Sequence, residues 1–248
     1  MSFSEIHFHL LPGVDDGPSS MDGTVELARM AAADGTRTIV ATPHVNAMFS
    51  LDVRQLAEQT RVVAERLRRE RVPVRVLSGG ELAPERVEHL SQDELKSIAQ
   101  GPAGKRWLLL EPPLTGFNDL FASAAEELRG RGFGVVVAHP ERSLGTPHSQ
   151  WRLLQREIEE GSAIQLTAWS LAGLHGERAR ANAVRLLRDA PLVAVASDAH
   201  GPERVPSLRL ALDALTGLGA RDPRRLIAEV PQALIQRGLP PRSPALAA

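Results

Sequence analysis

The amino-acid sequence predicts one α/β domain whose parallel strands form a distorted seven-stranded (β/α)7 barrel, similar to a TIM barrel. Strand-like apolar runs alternate with helix-like segments along most of the chain. The length of 248 residues suits a single barrel. Histidines and acidic residues follow the apolar runs, at the strand ends where such barrels place their chemistry. We therefore expect one domain over residues 1–237 and a mobile tail over residues 238–248, where proline and small residues predominate.

Seven apolar runs are the candidate strands, and amphipathic segments lie between them. The runs cover residues 6–10, 36–42, 74–78, 107–111, 134–139, 163–167 and 192–197. Between the second and third runs, Leu56, Thr60, Val63 and Leu67 recur every three to four residues. This spacing predicts a helix with one face against the sheet.

Composition excludes several classes of function. The formal net charge of -1 gives no electrostatic reason to expect a nucleic acid or an anionic membrane as partner. Without cysteine, the chain cannot form a disulfide, a thiolate zinc site or a cysteinyl-phosphate intermediate. No apolar run is long enough to span a bilayer, and the N-terminus lacks the pattern of a secretory signal. We therefore expect a cytoplasmic protein with no membrane insertion.

Ligand-type side chains follow six of the seven predicted strands. His7 and His9 lie two residues apart on the first strand, so both rings project from one face, and Asp15 and Asp16 follow in the next loop. The remaining candidates at strand ends are His44, Glu81, Glu111, His139, Asp198 and His200. Only the sixth strand offers no obvious ligand. Five of the eight histidines therefore lie on one rim of the predicted barrel.

These residue types predict a metal site. A single histidine or acid at a strand end is more often a solvated loop residue, but the ordered series on successive strands weakens that explanation. Imidazoles and carboxylates without sulfur suit manganese, iron or zinc. A site for calcium alone would contain fewer histidines.

Two motifs resemble those of a known family. Residues 6–17, which read IHFHLLPGVDDG, and residues 41–44, which read ATPH, are similar to the bacterial tyrosine-protein phosphatases of capsule and exopolysaccharide operons. These enzymes are a branch of the PHP superfamily, named from its polymerase and histidinol phosphatase members. The resemblance covers nearly the whole chain. It implies the PHP fold and two to three divalent metal ions, with manganese first and iron or zinc as alternatives.

The resemblance also implies a role for each candidate residue. One metal would be held by His7, His9, Glu81 and Asp198, and Glu81 would bridge to a second metal held by Glu111 and His139. A third metal would be held by Asp16, His44 and His200, with Asp15 as the alternative to Asp16. Arg142 and Arg204 would lie near the substrate phosphate, and water linked to His200 would help to protonate an alkyl leaving group.

The function implied by the resemblance is metal-dependent hydrolysis of phosphotyrosine by a metal-bound hydroxide. The expected partner is a phosphotyrosine protein, in particular a bacterial tyrosine kinase that controls capsular or exopolysaccharide synthesis. One alternative is a small-molecule phosphatase such as histidinol-phosphatase. Others are a nuclease, which the near-neutral charge disfavours, and a non-catalytic scaffold. The sequence leaves the oligomeric state open.

Overall fold

The parallel strands of this protein lie in two sheets. The computed structural model describes residues 2–143, 145 and 148–241. Within these residues the strands are β1 (Phe3–Glu5), β2 (Thr36–Ala41), β3 (His44–Val45), β4 (Arg75–Ser78), β5 (Glu81–Leu82), β6 (Trp107–Leu110), β7 (Gly134–Ala138), β8 (Ala163–Thr167) and β9 (Val193–Ala196). One sheet has the order β1-β2-β4, and the other has the order β3-β5-β6-β7-β8-β9.

The predicted α/β architecture with parallel strands is confirmed, whereas a closed seven-stranded barrel is not. Two strands are interrupted. Thr42 and Pro43 separate β2 from β3, and Gly79 and Gly80 separate β4 from β5. Proline cannot donate a ladder hydrogen bond, which limits continuation of the second strand. As a result, β3 and β5 pair with each other and continue into the larger sheet instead of extending the smaller one.

The break at Gly79 and Gly80 reflects a close approach of the backbone to neighbouring strands. A Cβ atom on Gly79 would lie 2.6 Å from Cγ1 of Val40, and one on Gly80 would lie 3.0 Å from Cγ2 of Val45. Only glycine fits at such contacts without movement of the neighbours. The two glycines therefore allow the chain to turn from β4 into β5 and to place Glu81 at the start of β5.

The prediction of a first strand over residues 6–10 is wrong, because the first strand lies before this segment. It covers Phe3–Glu5, and the segment from residue 6 to residue 10 runs between the sheets with a single parallel bridge from Phe8 to Ala199. The amide of Asp198 donates to the carbonyl of His7 at 3.1 Å, and the amide of His9 donates to the carbonyl of Ala199 at 2.9 Å. These bonds hold the two histidines beside the end of β9.

Helices follow most of the strands. They are α1 (Met21–Asp34), α2 (Leu56–Arg69), α3 (Gln92–Ile98), α4 (Asp119–Gly130), α5 (Pro140–Ser143), α6 (His148–Glu159), α7 (Ala168–Leu171), α8 (Glu177–Asp189), α9 (Leu208–Gly217) and α10 (Val230–Arg237). The predicted apolar face of α2 is buried, and each of its large apolar residues contributes roughly 1.5–3 kcal/mol of burial free energy. No helix among the described residues is long and apolar enough to cross a bilayer.

The chain after α10 is packed where the predicted mobile tail begins. Leu239 is 8% exposed, and its amide donates to the carbonyl of Lys105 at 2.8 Å. A Cβ atom on Gly134 would overlap the carbonyl of Leu239, so the chain crosses directly over the start of β7. Leu239, the second residue of the predicted tail, therefore supplies an apolar side chain to this end of the core. Residues 242–248 of the predicted tail lie outside the described residues.

A buried carboxyl group joins β1 to the chain that follows β9. Glu5 is fully buried, and its Oε2 accepts a hydrogen bond from the amide of Ser197 at 2.8 Å. Burial raises the pKa of Glu5 from 4.5 to about 8, although the hydrogen bonds to Ser197 oppose the shift. Between these two values the folded state holds a proton that the unfolded state releases, so the stability of the folded state falls as pH rises.

We expect Glu5→Gln to stabilise the protein more at pH 8 than at pH 5, because glutamine keeps an acceptor for Ser197 and has no charge to bury. The comparison is the difference in melting temperature between the variant and the wild-type protein, measured by circular dichroism with a chelator present throughout. The difference should increase in favour of the variant over this pH range. A difference that stays constant with pH would contradict the assignment of the buried proton to Glu5.

Candidate metal centre

The structure brings all nine predicted metal ligands together at the carboxyl ends of the strands. They form four overlapping groups whose ligand atoms lie within 4.8 Å of one another. These groups are His9, Asp16, His44 and His200; His7, His9 and Asp198; His7, Glu81 and His139; and His44, Glu81 and Glu111. The overlap means that single side chains face more than one possible ion.

Glu81 lies at the centre of the groups. Its Oε2 is 3.1 Å from Nε2 of His7, 3.2 Å from Nε2 of His9 and 3.1 Å from Nδ1 of His44. Its Oε1 is 2.9 Å from Nε2 of His139. One carboxylate therefore faces four imidazoles from three segments of the chain, which follow β1, begin β3 and follow β7, as a bridging ligand would.

Asp198 connects the histidines to the two predicted arginines. Its Oδ1 lies 3.2 Å from Nε2 of His7. Its Oδ2 accepts a hydrogen bond from Nη1 of Arg142 at 2.9 Å and forms an ion pair with Nη2 of Arg204 at 2.7 Å. Arg204 also donates from Nε to the main-chain carbonyl of Asp198 at 2.6 Å, so it holds the backbone as well as the side chain.

Asp15 and Asp16 have different surroundings. Both carboxylate oxygens of Asp15 are engaged, because Oδ2 is 2.7 Å from Nδ1 of His9 and accepts from the amide of His44 at 3.0 Å, while Oδ1 accepts from the amide of Gly17 at 2.9 Å. Asp15 thereby orients His9, as carboxylates behind metal-binding histidines do. The side chain of Asp16 is 54% exposed, and its Oδ1 faces Nε2 of His200 at 3.3 Å.

Two of the candidate ligands have an unusual backbone conformation. His139 has a φ of +29° and Asp198 a φ of +54°, a region that residues other than glycine rarely adopt. Such strain costs of order 1–3 kcal/mol and persists only where the surroundings enforce it. At Asp198 these surroundings include the hydrogen bond from Nε of Arg204.

The pKa values of the candidate ligands shift in different directions, according to the surroundings of each side chain. Burial lowers the pKa of His139 to about 4, with the positive charge of Arg142 acting in the same direction. For His9, burial opposes protonation, but hydrogen bonds to Asp15 and Glu81 raise the pKa to about 10. Burial and the neighbouring charges of Glu81 and Asp198 raise the pKa of Glu111 to about 9. Without metal, His9 and Glu111 therefore hold protons at neutral pH, which a bound cation would displace.

The donor set fits divalent cations. Buried atoms without a hydrogen-bond partner among the described residues include Glu81 Oε2, Asp198 Oδ1, His44 Nδ1 and His139 Nδ1. The first three lie within 3.1–3.2 Å of a ligand atom on another side chain of the same cluster. Unpaired buried polar atoms are costly, and a cation between these atoms would satisfy several of them together.

Sequence reasoning missed Gln165, on the strand that was expected to provide no ligand. Its Oε1 lies 2.9 Å from Nδ1 of His7 and accepts a hydrogen bond from the amide of His139 at 3.1 Å. The side chain therefore fixes the orientation of one candidate ligand and the backbone of another. The available signal was an isolated amide in the apolar sequence of β8, which is buried along its whole length.

The parallel α/β fold and the clustered ligand-type side chains are those of a protein that could bind several metal ions at the ends of its strands. The family model for capsular polysaccharide synthesis, CpsB/CapC, matches residues 3–236. The chain belongs to this CpsB/CapC family.

Its similarity to individual relatives extends over most of the chain. It is 33% identical to the tyrosine-protein phosphatase YwqE of Bacillus subtilis over 199 residues. This aligned length covers 79% of this chain and 76% of YwqE. It is 26% identical to the tyrosine-protein phosphatase CpsB of Streptococcus pneumoniae, over 93% of this chain and 97% of CpsB.

Solved structures agree with this placement. A chain from the crystal structures of Bacillus subtilis YwqE and Streptococcus pneumoniae CpsB, described as metal-dependent tyrosine phosphatases, matches with a TM-score of 0.79 and 30% identity. The match covers 96% of this chain and 99% of that chain. The phosphotriesterase homology protein of Escherichia coli matches with a TM-score of 0.57 and 14% identity, over 93% of this chain and 97% of that protein, which shows a shared fold alone.

Proposed function

We propose that this protein is a metal-dependent protein-tyrosine phosphatase. The observation that carries the proposal is the position of Arg142 and Arg204 at the edge of the ligand cluster, where both donate to Asp198. Two guanidinium groups beside a multinuclear metal centre suit a phosphate ester as substrate. The names of the YwqE and CpsB relatives support phosphotyrosine as the substrate group.

The proposed metal positions follow the grouping of the side chains. One ion would be held by His7, His9, Glu81 and Asp198, a second by Glu81, Glu111 and His139, and a third by Asp16, His44 and His200. Divalent ions bound there, with manganese as our first candidate, would activate a water nucleophile and would neutralise developing charge on the phosphoryl oxygens. Glu111 lies 3.7 Å from both His44 and His139, so it belongs at the junction of these groups.

The two arginines are proposed to hold the phosphate. Arg142 donates one hydrogen bond from Nη1 to Asp198, and its remaining N–H groups have no acceptor among the described residues. A planar guanidinium can donate two parallel hydrogen bonds to phosphate. Arg204 also donates to the backbone of Asp198, so we assign it a positioning role in addition to phosphate binding.

The entrance to the centre suits an aromatic leaving group. A cavity of about 450 Å³ is lined by both arginines and by the apolar side chains of Met48, Phe49 and Leu114. Met48 is 83% exposed and Leu114 is 57% exposed, so an aryl ring could bury apolar surface against them. Phenolate also leaves with little help, whereas an alkyl leaving group would need a proton from water near His200.

The biological part of the proposal rests on family membership. We propose that the substrate is a bacterial tyrosine kinase of capsular polysaccharide synthesis and that the protein acts in the cytoplasm. We also propose that residues 1–237 form one domain in which the two sheets together make a distorted seven-stranded barrel. The bridge from Phe8 to Ala199 supports this arrangement because it joins the sheets at the metal centre.

The test is hydrolysis of phosphotyrosine peptide, phosphoserine peptide and histidinol phosphate by metal-stripped protein after manganese, zinc or magnesium is added back singly. We expect turnover only with metal and preference for phosphotyrosine, because the phenolic leaving group and the apolar entrance favour it. Preference for histidinol phosphate would replace the proposal with a small-molecule phosphatase. No turnover with any of the metals would favour a nuclease or a non-catalytic scaffold.

A further inference from the structure

A second cavity borders the metal centre at Asp16 and His200. It has a volume of about 740 Å³ and lies between α1, the start of α7 and the turn that follows His200. Asp16 and Arg204 line both this cavity and the one that contains Arg142. Because the cavities share these residues, a ligand in the second cavity would be continuous with a phosphate at the centre.

The walls of this cavity combine apolar and acidic groups. Leu27, Met30 and the half-buried indole of Trp169 form its apolar part. Glu26 and Glu203 are exposed at its edge and have no ion-pair partner among the described residues. The guanidinium of Arg204, the cation in the lining, is already engaged by Asp198 at 2.7 Å. The two exposed glutamates therefore give the outer edge of the cavity negative charge.

We propose that this cavity is a subsite for a lysine or arginine that lies next to the phosphotyrosine in the protein substrate. The aliphatic stem of such a residue would pack on Leu27 and Met30, and its charge would lie near Trp169, Glu26 and Glu203. The inference rests on the proposed phosphatase function and adds to it a selection for sequence around the phosphotyrosine. An acidic residue at the same position would be repelled.

Apart from Asp16 and Arg204, the two cavities have different lining residues, so substrates of different length would occupy them differently. The cavity with Met48 and Leu114 takes the aryl ring, and a small aryl phosphate such as phenyl phosphate fills that cavity alone. A peptide continues beyond the ring and can occupy both cavities. The subsite therefore affects KM for peptides and leaves turnover of phenyl phosphate unchanged.

The experiment uses the metal-loaded full chain and phosphotyrosine peptides in a glycine and serine background. Lysine, leucine or glutamate is placed singly at each of the two positions before and after the phosphotyrosine. At one position we expect lysine to lower KM by about fivefold relative to leucine, as an exposed ion pair with a cation–π contact allows. At that position glutamate should raise KM.

Variants at the subsite test which side chains are responsible. The double variant E26K/E203K should reverse the order of lysine and glutamate peptides, while Glu126→Lys, a change at an exposed acid of α4 that lines neither cavity, should leave the order unchanged. Trp169→Ala should raise KM for the lysine peptide without changing kcat, and Trp169→Phe should restore most of the loss.

The outcomes separate this inference from the proposed function. If phenyl phosphate and every peptide remain intact, the phosphatase proposal itself fails. If the wild-type protein hydrolyses the peptides but shows no preference for lysine at any position, or if E26K/E203K keeps the wild-type order, the subsite is overturned and the phosphatase proposal stands. A preference for leucine equal to that for lysine also overturns the assignment of a cationic occupant.

Discussion

Glu81→Gln is expected to lower phosphotyrosine turnover by about a thousandfold or more and to reduce the metal content of the purified protein. The change keeps the size of the side chain and removes the negative charge that faces His7, His9, His44 and His139. A metal centre supplies several kcal/mol of transition-state stabilisation, and each 1.36 kcal/mol corresponds to a factor of ten in rate. Because Glu81 belongs to two of the four ligand groups, its loss should affect more than one ion.

The measurement combines kcat for a phosphotyrosine peptide with metal per chain from elemental analysis. Glu157→Gln is the matched control, since Glu157 is also a buried glutamate but pairs with Arg129 at 2.6 Å, away from the centre. That control should lose stability and retain metal and turnover. A Glu81→Gln protein that folds and keeps both wild-type metal content and wild-type kcat would remove Glu81 from the centre.

The sequence predicted the ligand cluster because parallel strands end at a common edge. Each candidate ligand follows or begins a short apolar run, so its approximate position depends only on the existence of that run. His7 and His9 show that the prediction of their position holds even where the strand boundaries are wrong. Their segment leaves the strand ladder after Glu5, yet the bond from the amide of Asp198 still places them at the centre.

The division into two sheets could not be predicted from apolar periodicity. The contact that requires glycine at position 79 is with Val40, a residue distant in sequence, and periodicity carries no information about such approaches. The choice between Asp15 and Asp16 was open for the same reason. It depends on which carboxylate reaches His9 and the amide of His44, and that is decided by the folded loop.

Arg142→Ala is expected to lower phosphotyrosine turnover by about 10²–10³-fold while the metal content stays at the wild-type level. Removal of one preorganised donor to a charged transition state has an effect of this size. The centre should remain assembled because Arg204 still forms an ion pair with Oδ2 of Asp198 at 2.7 Å and donates a hydrogen bond to its carbonyl at 2.6 Å. Arg142→Lys should restore only part of the activity, since an ammonium group lacks the planar fork of guanidinium.

The contrast with Arg204→Ala distinguishes a phosphate ligand from a residue that holds the site together. Loss of Arg204 removes the hydrogen bond that fixes the left-handed backbone of Asp198, so metal content and turnover should fall together. Steady-state kinetics and elemental analysis of both variants measure this difference. If Arg142→Ala keeps wild-type kcat/KM, Arg142 does not hold the phosphate, and if it loses metal as Arg204→Ala does, its contact with Asp198 is structural.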